Sequence, residues 1–335
     1  MSLPPSGEIP QGAIRFNTDT HKLEFYAQGE WWIMSTDTPN LASSGDVSVG
    51  PRGLFFGGST PSNSDTIDYI NISSPGNAVD FGNLESATDW PAACASSTRG
   101  IAAGGRTPSN IDTIQFVTIA STGNTTDFGN LTSAKREMGG CGNETRGLFG
   151  GETLGGSDDI EYVTIASEGN AVDFGNLIQA HDGAASFSSP TRGVWAGGEG
   201  PSPYPGLTAI QYVYIASTGN ATKYGDLSAA SWACNGCANN VRGLIGSLSS
   251  PARNQIDYIT ITTGGNSVNF GDLTYSTHSI SSTASKIRGI FAGGAPANAT
   301  INYVIINTQG DAVDFGDLSV GRGRLNAASN AHGGL

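Results

Sequence analysis

The dipeptide Arg-Gly recurs with a near-constant period at Arg52, Arg99, Arg146, Arg192, Arg242 and Arg288, with spacings of 47, 47, 46, 50 and 46 residues. Behind each pair come an apolar residue and, in most copies, Gly-Gly. A strand-like run follows, then the tetrapeptide Phe/Tyr-Gly-Asn/Asp-Leu. A repeat of this length, made of short strands and glycine turns, cannot bury its apolar faces alone. Packing against the next repeat around a ring buries them. The expected fold is all-β, a six-bladed β-propeller with one blade per repeat. No ten-residue window carries a helical period.

Each repeat divides into four strands. In the third repeat these are A within SAKREMGGCGNET (133–145), B in RGLFGG (146–151), C in IEYVTIA (160–166) and D in NAVDFGNL (170–177). Strand C sets an Ile and an aromatic on one face, as in Ile67/Tyr69, Ile160/Tyr162 and Ile301/Tyr303. Further apolar residues, such as Val163 and Ile165, lie on the other. A strand apolar on both faces needs both covered, and neighbouring blades would cover them. The glycine of each Gly-Asn pair, as at Gly169-Asn170, is expected to supply a positive φ to the C–D turn. The chain enters the repeats at a strand B and leaves through text matching strands D and A. Strand A at about 319–331 is therefore expected to pair with strand B at about 52–57, closing the ring without a free edge.

Length variation is confined to one place. From Arg-Gly to the Ile of strand C the counts are 15, 15, 14, 18, 14 and 13 residues, whereas every other segment that can be counted is constant. Because strands alternate in direction, B–C and D–A loops share one face of the disc. Variable loops on a rigid scaffold are where binding concentrates. Candidate contact residues on this face are Arg106, Asn110, Glu199, Tyr204 and Arg253. Tyr204 lies between prolines in the longest loop, GGEGPSPYPGLT (197–208).

Residues 1–45 lack the repeat and form a separate module, with the propeller expected over 46–335. GAIRFNTDTHKLEFYAQGEWWIMS (12–35) reads as three short strands, Ala13–Asn17, Lys22–Ala27 and Trp31–Ser35, and 36–46 as a linker. So small a meander is marginal alone. Its aromatics, Phe25, Tyr26, Trp31 and Trp32, are the expected attachment residues.

Composition narrows the function classes. A net charge of −13 argues against unspecific nucleic-acid binding. No run of 18 apolar residues offers a membrane span, and no signal peptide is evident. Cys94, Cys141 and Cys237 each stand five residues before an Arg-Gly pair. They are one position used in three blades and are expected as small buried thiols. The Cys234-x-x-Cys237 pair would face both sides of a strand, against a metal or redox role. The four histidines, His21, His181, His278 and His332, are scattered, and no hydrolase, zinc or phosphate-loop motif occurs. Neither an enzyme nor a cofactor is expected.

Two stretches carry a resemblance. The blade text Gly-Gly, I-x-[YF]-[VI]-x-I and G-N-x-x-[DNK]-[FY]-G-[ND]-L, with Ser-Ala before Arg-Gly, resembles kelch-like propeller repeats in virion structural proteins of marine bacteriophages, especially cyanophages. It covers about 51–335. The fifth blade departs with Gly246-Ser247, and the usual kelch Trp between strands C and D is absent. Gly12, Ile14 to Thr18, Thr20, Lys22 to Tyr26 and Trp31 resemble a hairpin module of phage tail-fibre and baseplate proteins. The resemblance implies a virion component. It would bind other virion proteins through its N-terminal module and form a homo-oligomer in the particle. A host-surface glycan or protein would be its external partner. The leading expectation is a tail-fibre or adhesin-type propeller. Alternatives are a capsid or tail decoration protein, or a non-viral lectin or protein-interaction propeller.

Overall fold

A computed structural model describes residues 9–17, 22–33, 50–152, 156–248 and 253–335. The chain divides into two compact units, Met1–Gly50 and Pro51–Leu335. The expected linker at 36–46 lies outside the described residues.

The first unit holds a three-stranded antiparallel sheet in the order β1 (Ile14–Asn17), β2 (Lys22–Ala27), β3 (Glu30–Ile33). Gln28 and Gly29 join β2 to β3 with φ of 55° and 85°. Two consecutive positive φ values match the right-handed twist of a hairpin.

The second unit is propeller-like, six four-stranded antiparallel sheets in a ring, each ordered A-B-C-D from the axis outward. In the third blade the strands are Gly139–Gly142, Arg146–Gly150, Asp159–Thr164 and Val172–Asn176. The first blade takes its strand A from the far end of the sequence. Asn326–Ser329 pairs with Arg52–Phe56, in register from Asn326 opposite Phe56 to Ser329 opposite Gly53. Aromatic and aliphatic side chains of strands B, C and D, such as Phe149, Ile160 and Phe174, are fully buried.

The repeated arginines are latches between blades. Each Arg of the six periodic Arg-Gly pairs donates through Nη1 to the carbonyl that follows strand C of the next blade. The six acceptors are Ile119, Ile165, Ile215, Ile261, Ile306 and Ile72, at 2.7–3.2 Å. The same guanidinium lies 4.4–5.0 Å from the ring centroid of its own strand C aromatic, from Tyr69 to Tyr303. A charge-assisted hydrogen bond and a cation–π contact thus recur on one side chain in every blade.

Strand C differs from expectation at one position. The residue between its Ile and its aromatic is polar in every blade and buried: Asp68, Gln115, Glu161, Gln211, Asp257 and Asn302. Each accepts from the backbone N–H that follows the strand D Leu of the preceding blade, for example Thr132 to Glu161 at 2.7 Å and Ile178 to Gln211 at 2.7 Å. Four residues after that Leu stands a second buried polar side chain, facing the first in three interfaces. Lys135 meets Glu161 at 2.9 Å, Arg322 meets Asp68 at 3.0 Å, and His181 meets Gln211 at 3.1 Å. Burying a charge requires a partner, and the repeat supplies cation and acid together.

The turn glycines hold the expected positive φ, 152° at Gly169, and a second glycine of each repeat is the crowded one. A Cβ on Gly169 would meet nothing within 4 Å. Its amide instead bonds across the blade interface to Phe128 O at 2.8 Å. The glycine that has no room is the one in strand D. A Cβ on Gly129 would sit 2.5 Å from the Gly169 backbone of the next blade. The Phe-Gly-Asn-Leu glycine therefore sets the spacing between outer strands.

Candidate functional site

The B–C and D–A loops share one face of the ring and pair with one another there. Backbone bridges join Asp89 to Arg106, Asp182 to Glu199, His278 to Ala295 and Gly323 to Ser59. The variable loops are thereby pinned at their base to the loops of fixed length.

The candidate residues on this face fall into two groups. Arg106 and Asn110 oppose each other in one small hairpin. Arg106 grips the fully buried Asp89 through two bonds, Nε to Oδ1 at 3.0 Å and Nη2 to Oδ2 at 2.6 Å. The hydrogen bond to Asp89 also raises the Arg106 pKa. Arg324 approaches the same carboxylate at 3.6 Å. Asn110 accepts from Arg136 at 3.4 Å, and Arg136 pairs with Glu137 at 3.1 Å. Burial, and then the charge of Glu137, raises the Glu199 carboxyl above its ordinary range. Arg106 is thus held by Asp89 and Asn110 by Arg136, while Glu199 is bridged to Asp182 through its backbone. Tyr204 stands apart in its loop, 44% exposed with φ of 63°. Arg253 opens strand C of the fifth blade opposite Thr277. Its side chain lies outside the described residues.

The residues that ring the axis share no side-chain type and form no sequence motif. Trp90, Glu137, Gly183, Ala233, Ser279 and Arg324 each stand two residues before a strand A, and all six have φ between 52° and 62°. Backbone hydrogen bonds run from one to the next: Glu137 N to Trp90 O, Gly183 N to Glu137 O, Ser279 N to Ala233 O, Arg324 N to Ser279 O and Trp90 N to Arg324 O, at 2.8–3.3 Å. The first five lie nine residues before an Arg-Gly arginine. That offset was available in the sequence, but six unlike side chains concealed it.

The N-terminal sheet separates the four attachment candidates onto opposite faces. On one face Arg15 bonds Glu24 at 2.7 Å and lies 4.2 Å over Trp31, Asn17 bonds Glu24 at 2.9 Å, and Tyr26 meets Trp31 edge-on at 5.3 Å. Asn17 and then Arg15 hold the Glu24 carboxyl below its ordinary range. This face satisfies itself. On the other, Ile14 opposes Phe25, Phe16 opposes Leu23, and Phe25 opposes Trp32. All five are exposed, Ile14 by 64% and Trp32 by 49%.

The four cysteines are free and buried. Burial pushes the Cys141 and Cys237 thiols up to about 12, so they remain protonated at neutral pH. Among the described residues no cluster of three or more His, Cys, Asp or Glu could hold a metal ion. No protein-family model and no curated protein matches this chain.

Proposed function

We propose that this chain is a bacteriophage virion structural protein: a kelch-like propeller displayed for host-surface recognition and attached to other virion proteins by its N-terminal sheet. The observation that carries the reading is the apolar face of Ile14, Phe16, Leu23, Phe25 and Trp32 on a sheet whose other face is internally satisfied. Contiguous exposed apolar side chains of this kind mark interaction surfaces. Covering one of them contributes about 2 kcal/mol. The kelch assignment is supported by the Gly-Gly that ends strand B in five of six blades, from Gly57-Gly58 to Gly293-Gly294. The particle is supported by the phage-like text of both units. The propeller acts by binding rather than by catalysis, and the face built from B–C loops meets the host.

The test uses the full chain. Phe25→Ser with Trp32→Ser should leave the protein folded and absent from purified particles, scored by antibody labelling in electron microscopy. Normal incorporation of this variant would sink the attachment role. Replacing Tyr204 and shortening 199–206 should leave incorporation intact and lower attachment to host cells.

A further inference from the structure

The axial mouth on the B–C/D–A face combines a uniform backbone with non-uniform side chains. Five of its six collar residues are not glycine, yet all hold a left-handed conformation that L-residues adopt only at an energetic cost. Glycine would relieve that cost. The side chains are also distributed unevenly. Arg324, Trp90 and Glu137 occupy three consecutive blades, and Gly183, Ala233 and Ser279 occupy the opposite three. One half of the rim is thus large and functional, and the other half is small and leaves space.

We infer that this mouth binds a neutral saccharide, with Trp90 as the platform for one sugar ring and Glu137 and Arg324 bonding its hydroxyls. The inference builds on the reading of this face as the recognition face and gives it a site and a ligand class. The cavity beneath the collar measures about 30 Å³. That is room for a water or two, so the ligand lies across the mouth. An aromatic face flanked by a donor and an acceptor suits a polyol, whose ring offers C–H edges for packing and hydroxyls that both donate and accept. Charge argues for neutrality. Arg106 and Arg324 face Asp89, and Arg136 pairs with Glu137, so the basic groups of the mouth already have acidic partners. The chain as a whole carries −13, which repels an acidic glycan at long range. Arg324 is the most exposed arginine of this set. Its side chain is 42% exposed, its contact to Asp89 is long at 3.6 Å, and it lies 5.7 Å from the Trp90 ring centroid.

The collar geometry suits glycine variants, because glycine relaxes a positive φ and so keeps the backbone course. The full-length protein is titrated with maltohexaose, mannohexaose and galactohexaose, and with hexagalacturonate as the charged counterpart. Binding is followed by tryptophan fluorescence and saturation-transfer NMR. At least one neutral hexasaccharide should bind. Trp90→Gly and Arg324→Gly should each weaken it at least tenfold while Tm stays level or rises, and Trp90→Phe should retain most of the affinity. Binding by none of the neutral sugars, binding of hexagalacturonate alone, or equal affinity in Trp90→Gly would overturn the inference. A protein that binds no sugar but still loses host attachment when 199–206 is shortened would overturn this site alone and leave the recognition role standing.

Discussion

Arg288, in the sixth blade, donates to the carbonyl oxygen of Ile72, beyond strand C of the first blade, at 2.9 Å across 216 residues of sequence. The five equivalent latches span only 64 to 69 residues. The contact that joins neighbouring blades elsewhere here joins the two ends of the ring. It acts beside the pairing of Asn326–Ser329 with Arg52–Phe56 and the buried Arg322–Asp68 ion pair.

Arg288→Ala should therefore cost about 2–3 kcal/mol, one charge-assisted hydrogen bond plus one cation–π contact. Arg146→Ala should cost a similar amount at equilibrium. Only Arg288→Ala frays the seam, so it should raise hydrogen exchange in 52–56 and 326–329. Exchange mass spectrometry of the two variants distinguishes them. Equal protection at the seam would remove the special role of this latch.

Gly129→Ala should destabilise by more than about 2 kcal/mol, because its methyl would enter the Gly169 backbone of the next blade. Gly169→Ala meets open space and should cost about 1 kcal/mol from its φ of 152° alone. Urea denaturation of the pair measures the difference.

Lys135→Met should cost about 3–5 kcal/mol, since it strands the buried Glu161 carboxylate without its cation. Adding Glu161→Gln should recover much of the loss, because Gln115 and Gln211 already fill that position in other blades. Thermal melts of the single and double variants supply the check.

Acid should weaken the fold through His181. Burial drops its pKa from the usual 6.5 to about 4. Gln211 Oε1 is held by the Ile178 amide, so the Gln211 amide nitrogen faces His181 Nε2 and a second proton there would meet a donor. The folded state binds the proton less well than the unfolded chain. Stability is therefore full above about pH 6.5 and falls as pH drops toward 4, by up to about 3 kcal/mol. The half-buried His278 and His332 are shifted downward too, mainly by desolvation, and act in the same direction. A His181→Gln variant should show a shallower decline than wild type over this range in pH-dependent denaturation. Parallel curves would contradict the assignment.

The parts of this molecule legible in its sequence are those that every blade repeats in the same residue type. Arg-Gly, Ile-x-Tyr/Phe and Phe-Gly-Asn-Leu announced the strands, and the leftover text at both ends announced where strand A of the first blade would come from. Positions that keep a role while changing residue stayed hidden. Lys135, His181 and Arg322 share one place between blades, as do Glu161, Gln211 and Asp68, and only side-chain contacts reveal each pair. The candidate site was partly legible for the same reason. Strand alternation grouped the B–C with the D–A loops, which the bridge from Asp89 to Arg106 bears out. Trp90 and Arg324 could not be found that way, since nothing in a tryptophan and an arginine suggests a common backbone geometry. In the N-terminal sheet the alternation of β2 was readable, but Phe25 and Tyr26 were grouped as neighbours in sequence when a strand sends neighbours to opposite sides.

The collar separates what holds the ring from what the ring presents. Five main-chain hydrogen bonds link its six members, so the backbone course there does not depend on which side chain each position carries. The mouth thereby becomes a set of interchangeable slots. A lineage under pressure to follow a changing surface could rewrite their contents by single substitutions, at a pace the blade interior, with its matched charges and crowded glycines, would never tolerate.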